Sequence, residues 1–272
     1  MNFGNIKHLR TFWQILRPKP NALYKYHSIN RNLIKLLINN SLWAGAATNL
    51  NDPYDCDFEM SKKLFKEKFI NNLFSGEEYK SISEADKKWF LDGLGSVFTE
   101  DQIKTFQRFY LKFIGICCFS SKANSELMWS HYADSSKGVC LEFDFKKNDS
   151  IKKKLIPVRY SNKTILAQNE VDISKSLIKK RKAWSYENEW RIIEDVGLIP
   201  FDKSELVRVI FGPRVPRECF KIVVKALAKY GYTPIISMCQ YNKTGLEIKD
   251  MMDTKKFLNQ AIEEEEPTNS KE

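Results

Sequence analysis

The chain has 272 residues, 43% of them hydrophobic, and a formal net charge of +10. That length and apolar content predict a real core in one large domain or two small ones, and the apolar runs are too short for a membrane-spanning helix. The N-terminus does not read as a signal peptide, and Cys56, Cys117, Cys118, Cys140, Cys219 and Cys239 contain no CxxC, so a cytoplasmic protein with buried reduced thiols is expected rather than a zinc site or disulfide framework.

Residues 1–21 form a basic lead-in containing Arg17-Pro-Lys-Pro20, an extended connector. Leu23–Ser28 has strand composition. Asn30 is placed to cap a helix running to Asn39, and Ser41–Ala44 reads as a second strand entering an Asn/Asp/Pro turn at 48–55. Residues 59–113 carry apolar residues at helical spacing and predict a helical insertion. Its breaks fall at Ser75–Glu78 and Thr99–Gln102, the second with the form of a capping box.

Strand character returns at Ile114–Ser120. Asn124 or Ser125 caps a short helix over Glu126–Ala133, and Gly138–Phe145 alternates like a strand. Ile156–Tyr160 predicts a further strand, 164–182 a helix ending in Lys-Lys-Arg-Lys, and Leu206–Phe211 a strand closed by Gly212-Pro213. Pro216 opens a helix through Lys229, Thr233–Met238 is the expected last strand, and 255–262 a docked helix. Residues 263–272 hold five acids against one lysine and read as a disordered acidic tail, which leaves about +14 on the rest. That excess suits an anionic partner such as nucleic acid or a phosphorylated cofactor, or simply a soluble surface dotted with lysines.

The chemistry-bearing stretch is Lys182-Ala-Trp-Ser-Tyr-Glu-Asn-Glu-Trp-Arg-Ile-Ile193. On a strand, Glu187 and Glu189 point to one face, and two carboxylates so close raise the pKa of one of them. They serve either as an acid/base or cation-stabilising pair or as a strand edge bridged to Lys182 and Arg191. His131 sits in Met128–Ala133, where Trp129 and Tyr132 are three apart on one helix face and form either core or the wall of a pocket. Tyr24, Lys25, Tyr26 and His27 end the first strand, near the Asn51-Asp52-Pro53 turn. Asp52, Asp55, Asp57, Glu187 and Glu189 are the candidates for a divalent-metal site, although their spacing is not diagnostic. P-loop, HExxH and GxSxG motifs are absent.

Several of these pieces together resemble the DUF2971 family of bacteria and phages. They are Leu23–Ser28, Leu50–Tyr54, Cys118–Ser120, Met128–Ala133 with Gly138-Val139, Trp184–Arg191 and Val209–Pro213. Behind this lies a resemblance to ADP-ribosyltransferases, which hold NAD in a split β-sheet. It implies that His27 stands where a first-strand His or Arg grips the nicotinamide ribose side. It also implies that Glu187-Asn-Glu189 supplies the carboxylate that holds the ribose 2′-hydroxyl and stabilises developing positive charge, either glutamate serving and Glu189 being the better candidate. The Ser-Thr-Ser signature of the second strand is not present; Ala46-Ala-Thr48 is a partial stand-in.

The expected fold is α+β, a central mixed or split sheet of six to eight strands flanked by helices, in one domain over 22–262. The expected function is an NAD-using ADP-ribosyltransferase-like enzyme of phage-defence or toxin type that modifies nucleic acid or protein. Glu187, Glu189 and His27 are its catalytic candidates. Tyr24, Lys25, Tyr26, Asn51, Asp52, Trp129, Tyr132 and Arg191 are its cofactor-binding candidates. The alternatives are a metal-dependent nuclease and a non-catalytic module that binds nucleic acid or a partner protein in a defence system. The site reading predicts that both glutamates face one cleft with Lys25 or His27, supported by Trp184 and Trp190.

Overall fold

A computed structural model of the chain describes residues 19–73, 82–93 and 98–251. Residues 1–18, the break at Ser75–Glu78, the helix at 255–262 and the acidic tail lie outside the described residues.

The chain opens with β1 (Leu23–His27), α1 (Arg31–Asn39) and β2 (Ser41–Ala46). Asn30 caps α1, its side-chain oxygen accepting from the Asn32 N–H at 2.9 Å, and Leu33, Leu36 and Leu37 form the buried face. The insertion follows as β3 (Glu59–Met60), α2 (Lys62–Leu73), α3 (Glu84–Gly93) and α4 (Glu100–Leu111). Thr99 and Gln102 close the expected capping box on α4. Next come β4 (Ile114–Ser120), α5 (Glu126–Tyr132), β5 (Val139–Phe143) and α6 (Asp149–Lys154). Ser125 caps α5 through the Met128 N–H.

Several expectations need correction in the second half. Residues 156–160 form two separate bridges, β6 (Ile156–Pro157) and β7 (Arg159–Tyr160), with different partners. The helix expected over 164–182 is short. The chain first makes β8 (Leu166–Ala167), then Asn169 caps α7 (Glu170–Ser176). Lys179–Lys180 is strand β9, paired in parallel with β7, because Lys180 is drawn inward by buried carboxylates. After β10 (Glu189–Asp195) comes β11 (Gly197–Pro200), a strand not expected from the sequence. Then follow β12 (Leu206–Phe211), α8 (Arg217–Lys229), β13 (Ile235–Asn242) and a further hairpin strand, β14 (Gly245–Asp250).

The result is α+β, with a main sheet of ten strands rather than six to eight. Its order is β11-β2-β4-β1-β5-β12-β13-β14, and β10 and then β6 lie along the other edge of β4. Pairing is antiparallel except between β12 and β13. Since β10 pairs with β4 along its whole length, β1 and β2 must share the opposite edge. β1 meets it at Ser120, and β2 at Gly115 and Ile116, so the sheet is split there.

Register fixes the two faces, because paired residues across an antiparallel ladder point the same way. Tyr24 pairs with Ser120, and Ser120 with Glu189. Tyr24, Tyr26, Cys118, Ser120, Glu189 and Arg191 therefore share one face. Lys25, His27, Phe119, Trp190 and Ile192 point to the other. That other face carries the main core, where Leu23, Leu141, Phe143, Trp190 and Phe211 pack with Leu33 and Leu37 of α1 and Val223 and Leu227 of α8.

The Glu189 face carries two smaller apolar clusters. One joins Ile114, Ile116 and Ile193 to Leu64, Phe65, Ile103 and Leu111 of the insertion. The other packs Tyr26, Cys140 and Ile210 against Met128 and Trp129 of α5. The charged residues of the candidate site belong to neither cluster. All six cysteines are free. Among the described residues, no helix is long and apolar enough to cross a membrane.

Candidate functional site

Glu187 and Glu189 come together by a different local route from a continuous strand. Lys182–Glu187 is a 3-10 turn, Asn188 adopts the left-handed conformation at φ 46°, and only then does β10 begin. Asn accepts that conformation more readily than other non-glycine residues. The corner is held down on β4: Ser120 Oγ donates to the Glu187 carbonyl at 2.6 Å, and the Ser121 N–H donates to the Asn188 carbonyl at 3.0 Å. The Glu189 N–H donates to the Tyr160 hydroxyl at 2.8 Å.

Both glutamates are 3% exposed, and they sit in a buried five-charge cluster. Arg191 grips Glu189 with two nitrogens, Nε to Oε1 at 2.7 Å and Nη2 to Oε2 at 3.0 Å. Its Nη2 also reaches Asp55 Oδ2 at 2.6 Å, and its Nη1 donates to the Leu177 carbonyl at 2.8 Å. Lys180 Nζ stands among all three carboxylates, bonded to Glu187 Oε2 and lying 3.2 Å from Glu189 Oε2 and 3.5 Å from Asp55 Oδ2. Charges this deep persist only when paired. Three carboxylates face two cations, so the cluster carries one negative charge in excess when fully ionised.

That imbalance falls on Glu187. Burial pushes its pKa up and the neighbouring Glu189 adds to the rise, with Lys180 opposing only in part. Burial also pushes Glu189 up, but Arg191 and Lys180 outweigh it and hold the carboxyl down at about 2. Lys180 lies above its ordinary value: burial pulls it down, but Glu189 and Glu187 prevail.

Glu187 is also the member that communicates with the surface. Tyr132 donates to Glu187 Oε1 at 2.5 Å, and the Tyr132 oxygen accepts from the exposed Asn51 side chain at 2.6 Å. Burial and Glu187 together raise the Tyr132 hydroxyl above its normal range. Next to Tyr132 in α5, His131 places Nδ1 2.9 Å from the Tyr186 phenol oxygen, and Trp184 stands beside Lys180, its ring centroid 5.0 Å from Nζ. Arg181 stacks on Tyr54 at 3.1 Å from the ring centroid.

The structure thus brings Glu187, Glu189, Arg191, Tyr132 and Asn51 into one network. Asp52 lies in the adjoining turn, where one oxygen accepts from the Tyr54 N–H at 3.0 Å and Oδ2 is buried without a hydrogen-bond partner. Tyr24 and Tyr26 are on the same sheet face. Tyr26 packs edge-on against Trp129 at 5.2 Å and donates to the Lys122 carbonyl. Trp129 is fully buried, its Nε1 bonded to the Ala123 carbonyl, so it supports α5 rather than lining a cleft.

The expected convergence of Lys25 and His27 with the glutamates does not occur, because strand parity turns both to the opposite face. Lys25 donates there to the Cys118 carbonyl at 2.9 Å. The His27 Nε2 is sealed from solvent without a partner, and burial, reinforced by Lys25, lowers the ring's pKa to about 3. Trp190 is likewise on that face, in the main core, while Trp184 stands beside Lys180 as expected. Lys182 does not bridge the pair; Lys180 does. Asp55 joins the cluster as an ion-pair partner of Arg191 and Lys180. Among the described residues, no group of three or more His, Cys, Asp or Glu side chains is disposed to hold a metal ion.

Lys180, Ser120 and Tyr160 were not singled out from sequence. The only local signal for Lys180 is its two-residue spacing from Ile178, which is also buried. No curated protein and no solved structure matches the chain. Residues 128–192 do match a family model, a stretch that holds Tyr132, Lys180, Glu187, Glu189 and Arg191, and the family it represents is described as a protein of unknown function, DUF2971.

Proposed function

We propose that the chain is an ADP-ribosyltransferase-like enzyme that uses NAD and acts through the Glu187–Glu189 pair, with a nucleic acid or protein as acceptor and a role in phage defence or as a toxin. One observation carries this reading: the Glu-x-Glu stands at the head of β10, beside the strand whose far edge is divided between β1 and β2. The resemblance to ADP-ribosyltransferases calls for a late carboxylate in a split sheet.

The residues present suit the ribose and ring portions of such a cofactor. Glu187, its oxygens held by Lys180 and Tyr132, and the buried, unpartnered Asp52 Oδ2 are the carboxylates beside the exposed Asn51 side chain. Tyr24, Tyr186 and Trp184 offer ring faces. NAD, when bound, would supply a glycosidic bond to a pyridinium ring that departs as neutral nicotinamide. Glu187 is the chain's means of opposing positive charge nearby, since a fixed carboxylate in a low-dielectric setting acts strongly on it. Glu189 is a positioning residue: locked by Arg191, it holds Lys180 against Glu187. Tyr132 fixes the other Glu187 oxygen. Any first-strand contact belongs to Tyr24 or Tyr26, since His27 faces away.

The test is nicotinamide release from NAD, with and without EDTA, by wild type, Glu187→Gln and Glu189→Gln. Release that ignores EDTA and falls by roughly 100-fold or more in Glu187→Gln is expected. Folded protein that neither binds NAD nor releases nicotinamide would defeat the proposal. Nucleic-acid cleavage abolished by EDTA would establish the nuclease instead. A non-catalytic binding module is the second reading, favoured by the complete pairing of Glu189 and Arg191 in the interior. It expects neither activity, only salt-sensitive binding.

A further inference from the structure

We propose that the basic, ring-bearing surface beside Glu187 is a docking site for single-stranded nucleic acid, and that this strand is the acceptor of the reaction proposed above. The acceptor role rests on that reading; the binding does not.

The surface is assembled from two segments, 159–163 and 179–184, which together hold six cations and no acid. They are joined by the β7–β9 bridge, by Lys179 Nζ donating to the Lys163 carbonyl at 2.9 Å, and by the Lys182 N–H donating to Asn162 Oδ1 at 3.1 Å. Lys180 alone turns inward. Arg159, Lys163, Arg181 and Lys182 are exposed, and Lys179 is partly so. Fixed positive charge with no acid in either segment favours a polyanion.

Ring faces are interleaved with these charges. Tyr54 is 47% exposed and already carries the Arg181 guanidinium on one face. Trp184 is half-buried, 6.0 Å from Tyr186 between ring centroids. Aromatic rings and stacked arginines are what unpaired bases pack against, and the cations track the phosphates. A duplex hides its base faces and would use the charges alone. An acidic peptide would likewise leave the rings idle. The patch also abuts the carboxylate centre directly, since Lys180, flanked by Lys179 and Arg181, is bonded to Glu187. A strand lying across it would pass beside the Asn51–Tyr132–Glu187 chain of hydrogen bonds.

The experiment is fluorescence anisotropy with a labelled oligonucleotide of about a dozen nucleotides, within the length such surfaces cover, over a salt series and without NAD. The double variant Arg181→Ala/Lys182→Ala should bind at least about tenfold more weakly and lose about 1.4 from its log–log salt slope. Trp184→Ala should weaken binding about fivefold or more. Because Arg181 also props Tyr54, Lys182→Glu repeats the charge test at an exposed position. Lys221→Ala, at an exposed position of α8, should change nothing. Binding that survives the double variant and Lys182→Glu overturns the proposal. So does equal affinity for duplex or polyglutamate with no effect of Trp184→Ala. NAD turnover without strand binding removes this proposal alone, and strand binding without turnover removes only the catalytic reading.

Discussion

At the residue scale, Lys180 and Arg191 decide whether the site exists at all. Breaking a buried ion pair from one side leaves uncompensated charge and costs about 3–5 kcal/mol. Lys180→Met should therefore destabilise the fold by that order, since three carboxylates would be left against Arg191; urea unfolding at neutral pH measures it. The two glutamates answer to pH in opposite senses. Glu189 has a folded pKa near 2 against an ordinary 4.5, so the stability it confers is fully present above pH 4.5 and is lost as pH falls toward 2. A shift of that size is on the order of 3 kcal/mol. The pKa of Glu187 is raised from 4.5, so its contribution has the reverse sign: it lowers stability as pH climbs from 4.5 through its folded value. Unfolding measured at a series of pH values should show wild type weakening below pH 4.5. Glu189→Gln should be less stable at neutral pH and flatter in the acid range. An unchanged acid slope in that variant would show that Glu189 does not carry the effect.

At the element scale, the corner Glu187-Asn188-Glu189 makes the pair. A left-handed residue must sit there, so Asn188→Gly should keep stability and Asn188→Val should lose about 1–2 kcal/mol. The loss should come with an altered acid profile, because the misplaced element is the one that presents Glu187; a Val variant as stable as wild type would show that the corner does not depend on a left-handed residue. The adjacency of the two glutamates was legible in the sequence, but this corner was not, since the apolar Ile192-Ile193 pair suggested strand throughout. Caps explain the contrast. Asn30, Thr99 with Gln102, and Ser125 were all readable because the groups they satisfy lie two or three residues away. Lys179–Lys180 has the basic composition of a helix end. Its fate is set by Asp55, Glu187 and Glu189, of which Asp55 is distant in the chain.

At the scale of the whole molecule, the same distinction explains His27. Alternation alone puts His27 with Leu23 and Lys25, and Tyr24 with Tyr26. Which set faces Glu189 depends on the Tyr24–Ser120–Glu189 register, which joins three strands far apart in sequence and leaves no local trace. The helical insertion on the main sheet was legible from its periodicity, yet the strands it packs on were not. Phe65 meets Phe69, Phe98 and Phe106 within 4.7–5.8 Å, and the cluster they anchor includes Ile114, Ile116 and Ile193 from β4 and β10. The insertion therefore completes the core behind the charged cluster instead of forming a separate body. Removing the ring in Phe65→Ala should cost about 3–5 kcal/mol. The loss should appear in the melting of β10, reported by hydrogen exchange of the Ile192 and Ile193 amides, as much as in the helices. If the helices loosen while those amides keep their protection, the insertion unfolds independently and the Glu187–Glu189 corner owes its placement to the sheet alone.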